Sequence, residues 1–310
     1  MPHHAKKVDG GEIRKEVILP GRVRSVGRVK EIEIKGRSIC PGIAIGTAYV
    51  FGSGVEVRRS KISSRDVNLE GIGLFRTEFL LYSTDSFPDE DEQYAIYKRT
   101  IDAMQGRPFV LRTFDVGADK RLPYLERCVG QNPALGLRGI RRQLLRCPGE
   151  LNTQLRAALR AAAGTTLQLL FPMITTVDEL RKIKELLSRV KADLQAEGKT
   201  FCSELKIGAM IEIPSAAISI KEILSEVDFV SVGTNDLIQY FTAADRDNEA
   251  VSHFGDISNE AVVFLLRYII DGASEMGRRD DVTICGEIAS DPGSIPLLLK
   301  LGYRSLSISS

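Results

Sequence analysis

From Glu70 onward the chain alternates short apolar runs with polar residues and then with stretches of helical period, the order expected of β/α units around a parallel sheet. Seven apolar runs read as strands: Gly71–Leu74, Phe109–Thr113, Leu167–Phe171, Lys206–Ile213, Asp228–Gly233, Asp281–Cys285 and Ser305–Ser309. Most are apolar at successive positions rather than at every second one, as in parallel strands covered on both faces. The helices between them have readable ends. Pro88 opens one with an acidic first turn. Thr176-x-x-Glu179 forms a capping box ahead of Leu180, Ile183, Leu187, Val190 and Leu194, which share one face of a helix ending near Gly198. This repeating order predicts an α/β fold, a (β/α)8 TIM-type barrel over residues 67–310. No G-x-G-x-x-G turn follows any of the strands, which argues against a doubly wound dinucleotide-binding sheet. The barrel is expected to be incomplete at its first strand and last helix. Seven strands would leave two unpaired edges, to be covered by the segment Ser38–Phe51 or by a second copy.

The composition places the chain among globular proteins, with 43% hydrophobic and 27% charged residues in 310. Net charge is +1, so a bound anion must be held by a local cluster rather than by the field of the whole molecule. Residues 1–37 carry ten Lys or Arg against five Asp or Glu and read as a solvated basic tail or leader; without interleaved aromatics they make no case for nucleic acid. Five cysteines, Cys40, Cys128, Cys147, Cys202 and Cys285, show no C-x-x-C spacing, so neither a disulfide framework nor a zinc site is expected. No apolar run has the length of a membrane span and no signal-peptide order opens the chain, which suggests reduced thiols in a cytoplasmic protein with no membrane partner.

In a barrel of this kind the chemistry gathers at the carboxyl ends of the strands. Those positions hold Arg76 in Leu74-Phe75-Arg76-Thr77-Glu78, Arg112 in Leu111-Arg112-Thr113-Phe114-Asp115, Glu212 before Pro214, Asn235 and Asp236 in Gly233-Thr234-Asn235-Asp236, and Cys285 in Cys285-Gly286-Glu287. Arg246 follows shortly after the fifth strand in this list. Singly, each has an ordinary explanation: Arg76 can pair with Glu78 at the surface, and Cys285 can be a small core hydrophobe. Glu212 is harder to set aside, because a carboxylate within Met210-Ile211-Glu212-Ile213 must find a partner if it is buried. Three guanidinium groups and two carboxylates on one rim describe a site for a doubly anionic small molecule and a hard divalent cation.

The motifs Gly71-Ile72-Gly73-Leu74-Phe75-Arg76-Thr77-Glu78-Phe79-Leu80, Arg112 to Lys120, Asn132-Pro133-Ala134-Leu135-Gly136-Leu137-Arg138, Gly233-Thr234-Asn235-Asp236-Leu237 and Cys285-Gly286-Glu287 follow one another along the chain. In that order they resemble the phosphoenolpyruvate-binding C-terminal domain of enzyme I, the phosphoenolpyruvate-protein phosphotransferase of the bacterial sugar phosphotransferase system. Pyruvate phosphate dikinase and phosphoenolpyruvate synthase share the barrel, but the stretch from Arg112 to Lys120 is closer to the enzyme I form. Residues 38–66 read as a remnant resembling the first strand of that family's N-terminal domain, followed by a linker. The resemblance implies that Arg76, Arg112, Asn235 and Arg246 hold the substrate, with Lys120 and Arg138 as further candidates. It implies Mg²⁺ on Glu212 and Asp236, and Cys285 as the donor that protonates enolpyruvate. It also implies a phosphohistidine domain, the small phosphocarrier protein and a second copy bound through the barrel as partners.

The sequence departs from that family in one important respect. Its only histidines are His3, His4 and His253, and none sits in a G-x-T-S-H-type setting, so the phosphohistidine domain is expected to be missing. Two other readings follow: a non-catalytic phosphoenolpyruvate-binding remnant, and the barrel of a dikinase-like enzyme. Ala118, where the family usually has glycine, and the loop Phe254-Gly255-Asp256-Ile257-Ser258 are smaller differences.

Overall fold

The computed structural model describes residues 48–50, 71–82, 86–117, 132 and 134–308. Eight strands form one closed barrel: β1 (Ala48–Val50), β2 (Ile72–Arg76), β3 (Phe109–Arg112), β4 (Leu167–Phe171), β5 (Leu205–Ile211), β6 (Phe229–Gly233), β7 (Val282–Cys285) and β8 (Ser305–Ile308). Strands β2 to β8 pair parallel in chain order, and β1 lies antiparallel between β8 and β2. All seven apolar runs are therefore strands, with ends shifted by a residue or two. Of the two ways to cover the open edges, the structure uses the segment that contains Ala48–Val50.

The helices are α1 (Phe79–Tyr82), α2 (Glu90–Met104), α3 (Gly139–Leu145), α4 (Pro148–Ala161), α5 (Val177–Ala196), α6 (Pro214–Ile218), α7 (Ile220–Glu226), α8 (Thr234–Thr242), α9 (Glu260–Glu275) and α10 (Ile295–Leu301). Asp89 caps α2 by accepting from the amides of Asp91 (2.9 Å) and Glu92 (2.8 Å), while Glu92 accepts from Asp89 N (2.9 Å). At α5 the Glu179 carboxylate accepts from Thr176 N at 3.0 Å, and the five apolar residues read as its inner face are all buried.

Two apolar clusters explain why the strands are apolar at successive positions. Leu74, Val110, Leu170, Met210, Phe229 and Cys285, one from each of six consecutive strands, form a cluster of their own that plugs the barrel interior. Their strand neighbours Phe75, Leu111, Leu169, Ile211, Val230 and Ile284 belong to the larger core shared with the helices. Each buried side chain of this size contributes roughly 1.5–3 kcal/mol. The Phe229 ring occupies the space where a Cβ on Gly208 would lie, so only glycine fits at that point of β5.

Candidate active site at the carboxyl rim

Alternation along each strand carries the plug residues to the rim: two positions beyond Leu74, Val110 and Met210 stand Arg76, Arg112 and Glu212. Arg76 is exposed, whereas Arg112 and Glu212 are buried at 5% and 1% exposure. Burying these groups is costly unless each is paired, and the surrounding loops supply the partners.

Arg112 meets Glu78 Oε2 through Nη2 at 3.1 Å and Asp115 Oδ2 through Nη1 at 3.6 Å. Asp115 N donates to Glu78 Oε1 at 2.7 Å, which ties the loops after β2 and β3 together. The pairing of Arg76 with Glu78 allowed by the sequence is thus replaced by one with Arg112. Arg138, just ahead of α3, donates to Asp115 through Nε and Nη2, both at 2.9 Å. It also donates to Asp236 through Nη1 at 3.1 Å and Nη2 at 2.8 Å. The Tyr240 hydroxyl accepts from Arg138 Nη1 (2.9 Å) and donates to Ala134 O (2.7 Å). Arg246, partly exposed, reaches Asp236 Oδ1 at 3.5 Å. Burial pulls the affinity of Arg112 and Arg138 for their protons down, but the adjacent carboxylates more than offset this, so both stay charged.

Glu212 accepts from Met173 N at 2.6 Å, and Met173 adopts a left-handed φ of 60°, a conformation that a side chain with a Cβ rarely takes. Burial, with Asp115 and Asp236 nearby, raises the Glu212 carboxyl to a pKa of about 8 against the pull of Arg112 and Arg138. Cys285 is buried, its thiol 3.3 Å from Val232 O, and burial raises its pKa to about 11. It therefore remains a thiol through the neutral range.

Asn235 ties the first turn of α8 to the turn after β7: Nδ2 donates to Glu287 Oε1 at 3.1 Å, and Oδ1 accepts from Glu287 N at 2.9 Å. Thr234 Oγ1 donates to Cys285 O at 2.8 Å. These contacts cross above Gly286, whose φ of 105° favours glycine and whose missing side chain leaves room for Asn235 Oδ1.

Arg112, Arg138, Glu212, Asp236 and Arg246 thus converge, Arg76 and Cys285 lie at neighbouring strand ends, and Lys120 lies outside the described residues. Arg138, a further candidate by sequence, is the most heavily bonded cation of the group. Asp115, Tyr240 and Glu287 were not singled out by sequence and Glu78 only as a surface partner for Arg76, although Glu78 and Asp115 follow a rim arginine by two and three residues and Glu287 closes a quoted motif.

No group of three or more His, Cys, Asp or Glu able to hold a metal occurs among the described residues. A Mg²⁺ site of one or two carboxylates completed by water and substrate oxygens falls below that count, and the hard oxygen donors of Glu212 and Asp236 fit it. No described helix is long and apolar enough to cross a membrane.

A rim of paired, buried arginines and carboxylates on a closed α/β barrel is the class of site that the fold and these contacts define. Residues 53–310 match the family "PEP-utilising enzyme, PEP-binding domain", and the chain belongs to that family. Its relatives include the phosphoenolpyruvate-protein phosphotransferases of Geobacillus stearothermophilus (46% identical over 78% of this chain), Haemophilus influenzae (44% over 78%) and Lactococcus lactis (41% over 86%). The chain spans 41%, 41% and 46% of the lengths of those three proteins.

Proposed function

We propose that the chain is the phosphoenolpyruvate-binding barrel of a phosphotransferase that passes the phosphoryl group to a protein histidine. The observation that carries this reading is the convergence of Arg112, Arg138 and Arg246 with Glu212 and Asp236 at one rim, within residues that match the PEP-binding family.

Loss of a phosphoryl group from an enol oxygen calls for charge stabilisation on that group and on the leaving enolate. Arg76, Arg112 and Arg246 would hold the phosphoryl oxygens, and Arg138 would orient the carboxylate or phosphate. Asn235, in the first turn of α8, would add a polar contact to the substrate and hold the turn after β7 through Glu287. Mg²⁺, held by Glu212 and Asp236, would supply Lewis acidity toward the substrate oxygens. Cys285, a thiol at neutral pH, would deliver the proton to the enolpyruvate carbon. The acceptor histidine is assigned to a phosphohistidine domain: among the described residues only His253 is a histidine, and it is exposed, its ring 4.1 Å from that of Phe254. The phosphocarrier protein, a second copy bound through the barrel and a cytoplasmic location belong to the same reading.

Calorimetric titration with phosphoenolpyruvate, with and without Mg²⁺, tests the binding half. For the transfer half, the chain is incubated with labelled phosphoenolpyruvate and Mg²⁺, alone and then with a phosphohistidine domain. Acid-labile label on the added domain only is the expected result. Label on the chain alone would refute the need for a separate acceptor.

A further inference from the structure

Behind the rim runs a chain of buried polar side chains. Gln154 of α4, with no exposed surface, donates through Nε2 to Thr77 Oγ1 and to the Tyr97 hydroxyl, both at 3.1 Å, and accepts from Phe114 N at 3.0 Å. Thr77 donates in turn to Arg112 O at 2.9 Å. In the other direction, Tyr97 donates to Gln93 Oε1 at 3.1 Å, and Gln93 Nε2 donates to Pro88 O at 2.8 Å. Thr77, Gln93 and Tyr97 are as fully buried as Gln154.

An amide placed where a helix faces an apolar core is worse than a leucine unless every polar atom is satisfied, so the destinations of its bonds matter. One arm ends on the strand-end backbone of Arg112 and Phe114. Thr77 is next in sequence to Glu78, and Phe114 is next to Asp115, the two acids that hold the Arg112 guanidinium. The other arm leads away from the rim to the start of α2.

We propose that Gln154, acting through Thr77, is a positioning residue for the anion site. Its amide fixes the loops after β2 and β3 in the register that sets Glu78 and Asp115 on Arg112 and aims that guanidinium at the substrate. The Tyr97 and Gln93 arm supports the helix layer alone. This inference rests on the reading that the rim binds phosphoenolpyruvate.

The test compares full-length variants by phosphoenolpyruvate titration in Mg²⁺ and by thermal melting. Thr77→Val keeps the shape but removes the hydroxyl, and roughly tenfold weaker binding or more is expected, since a buried partner is left unsatisfied. Thr77→Ser restores the hydroxyl and should recover affinity to within about threefold of wild type. Gln154→Met should lose affinity as Thr77→Val does. Tyr97→Phe should lower the melting temperature while leaving affinity at the wild-type value. Affinity losses that follow the melting temperature across all four variants, or unchanged binding by Thr77→Val, overturn the positioning role. Failure of the wild type itself to bind phosphoenolpyruvate would instead overturn the functional reading.

Discussion

Arg138 grips Asp236 with both arms of its guanidinium, Nη1 to Oδ1 at 3.1 Å and Nη2 to Oδ2 at 2.8 Å. Asp236 is also one of the two carboxylates proposed for Mg²⁺, so cation and guanidinium would compete for the same oxygens. An incoming substrate anion would relieve that competition by giving Arg138 another partner.

Arg138→Met is therefore expected to tighten Mn²⁺ binding by the substrate-free chain while weakening phosphoenolpyruvate binding. Mn²⁺ titration followed by electron paramagnetic resonance, beside calorimetry, reads both quantities. The variant should also lose about 3 kcal/mol of stability in chelator, the usual cost of leaving buried acids without their cation. Added Mg²⁺ should return part of it. Equal Mn²⁺ affinity in both proteins would argue against competition at Asp236.

The Glu212 carboxyl, raised from 4.5 to about 8, binds its proton more tightly folded than unfolded. Its contribution to stability is therefore greatest below pH 4.5 and is lost as pH rises towards 8. In chelator, wild type should fall in stability relative to Glu212→Gln across that window when denaturant midpoints are compared. Mg²⁺ should reverse the order at the alkaline end, because wild type alone offers the carboxylate. A pH-independent difference in chelator would contradict the burial argument.

Thiol reactivity follows thiolate content and access. Cys202 and Cys285 are buried, and burial raises each to about 11, whereas Cys147 is partly exposed. Alkylation at about pH 8, mapped by mass spectrometry, should label Cys147 well ahead of the other two. Cys285→Ala should leave phosphoenolpyruvate affinity nearly intact, as expected of a proton donor that carries no binding load.

Gly286→Ala forces a Cβ onto Thr234 Oγ1 and to 2.7 Å from Asn235 Oδ1, at a φ of 105°. The expected cost is roughly 1–3 kcal/mol, together with loss of substrate binding as the tie between Asn235 and Glu287 breaks. Gly149→Ala is the control, because nothing lies within 4 Å of the added carbon. Similar melting temperatures for the two variants would place the constraint elsewhere.

The strands were legible because both of their faces are buried, so each reads as an unbroken apolar run whichever way its side chains point. Glu212 was legible for the converse reason, a charge inside such a run. The counter-ions were not. Glu78 and Asp115 lie beside rim arginines in sequence, but the hydrogen bonds they accept from guanidinium groups come from Arg112 and Arg138, 34 and 23 residues away, and periodicity carries no information about pairing across loops. Gln154 was invisible for a similar reason: on its helix it is one polar position among many until Thr77 and Phe114 are brought against it. A three-residue antiparallel strand such as β1 is too short to show a pattern of its own.

That short strand leaves the ring unevenly sewn. Among the described residues it meets β8 at three register positions but β2 at one, and β2 slips register against β3 between Ile72 and Phe75. The strand that carries Arg76 thus has, among the described residues, a short seam on one side and an irregular one on the other, whereas Arg112 sits on a strand with regular pairing to β4 and with its counter-ions in place. A substrate that bridges Arg76 and Arg112 would therefore join an exposed arginine on a sparsely paired strand to a buried one already held by two acids.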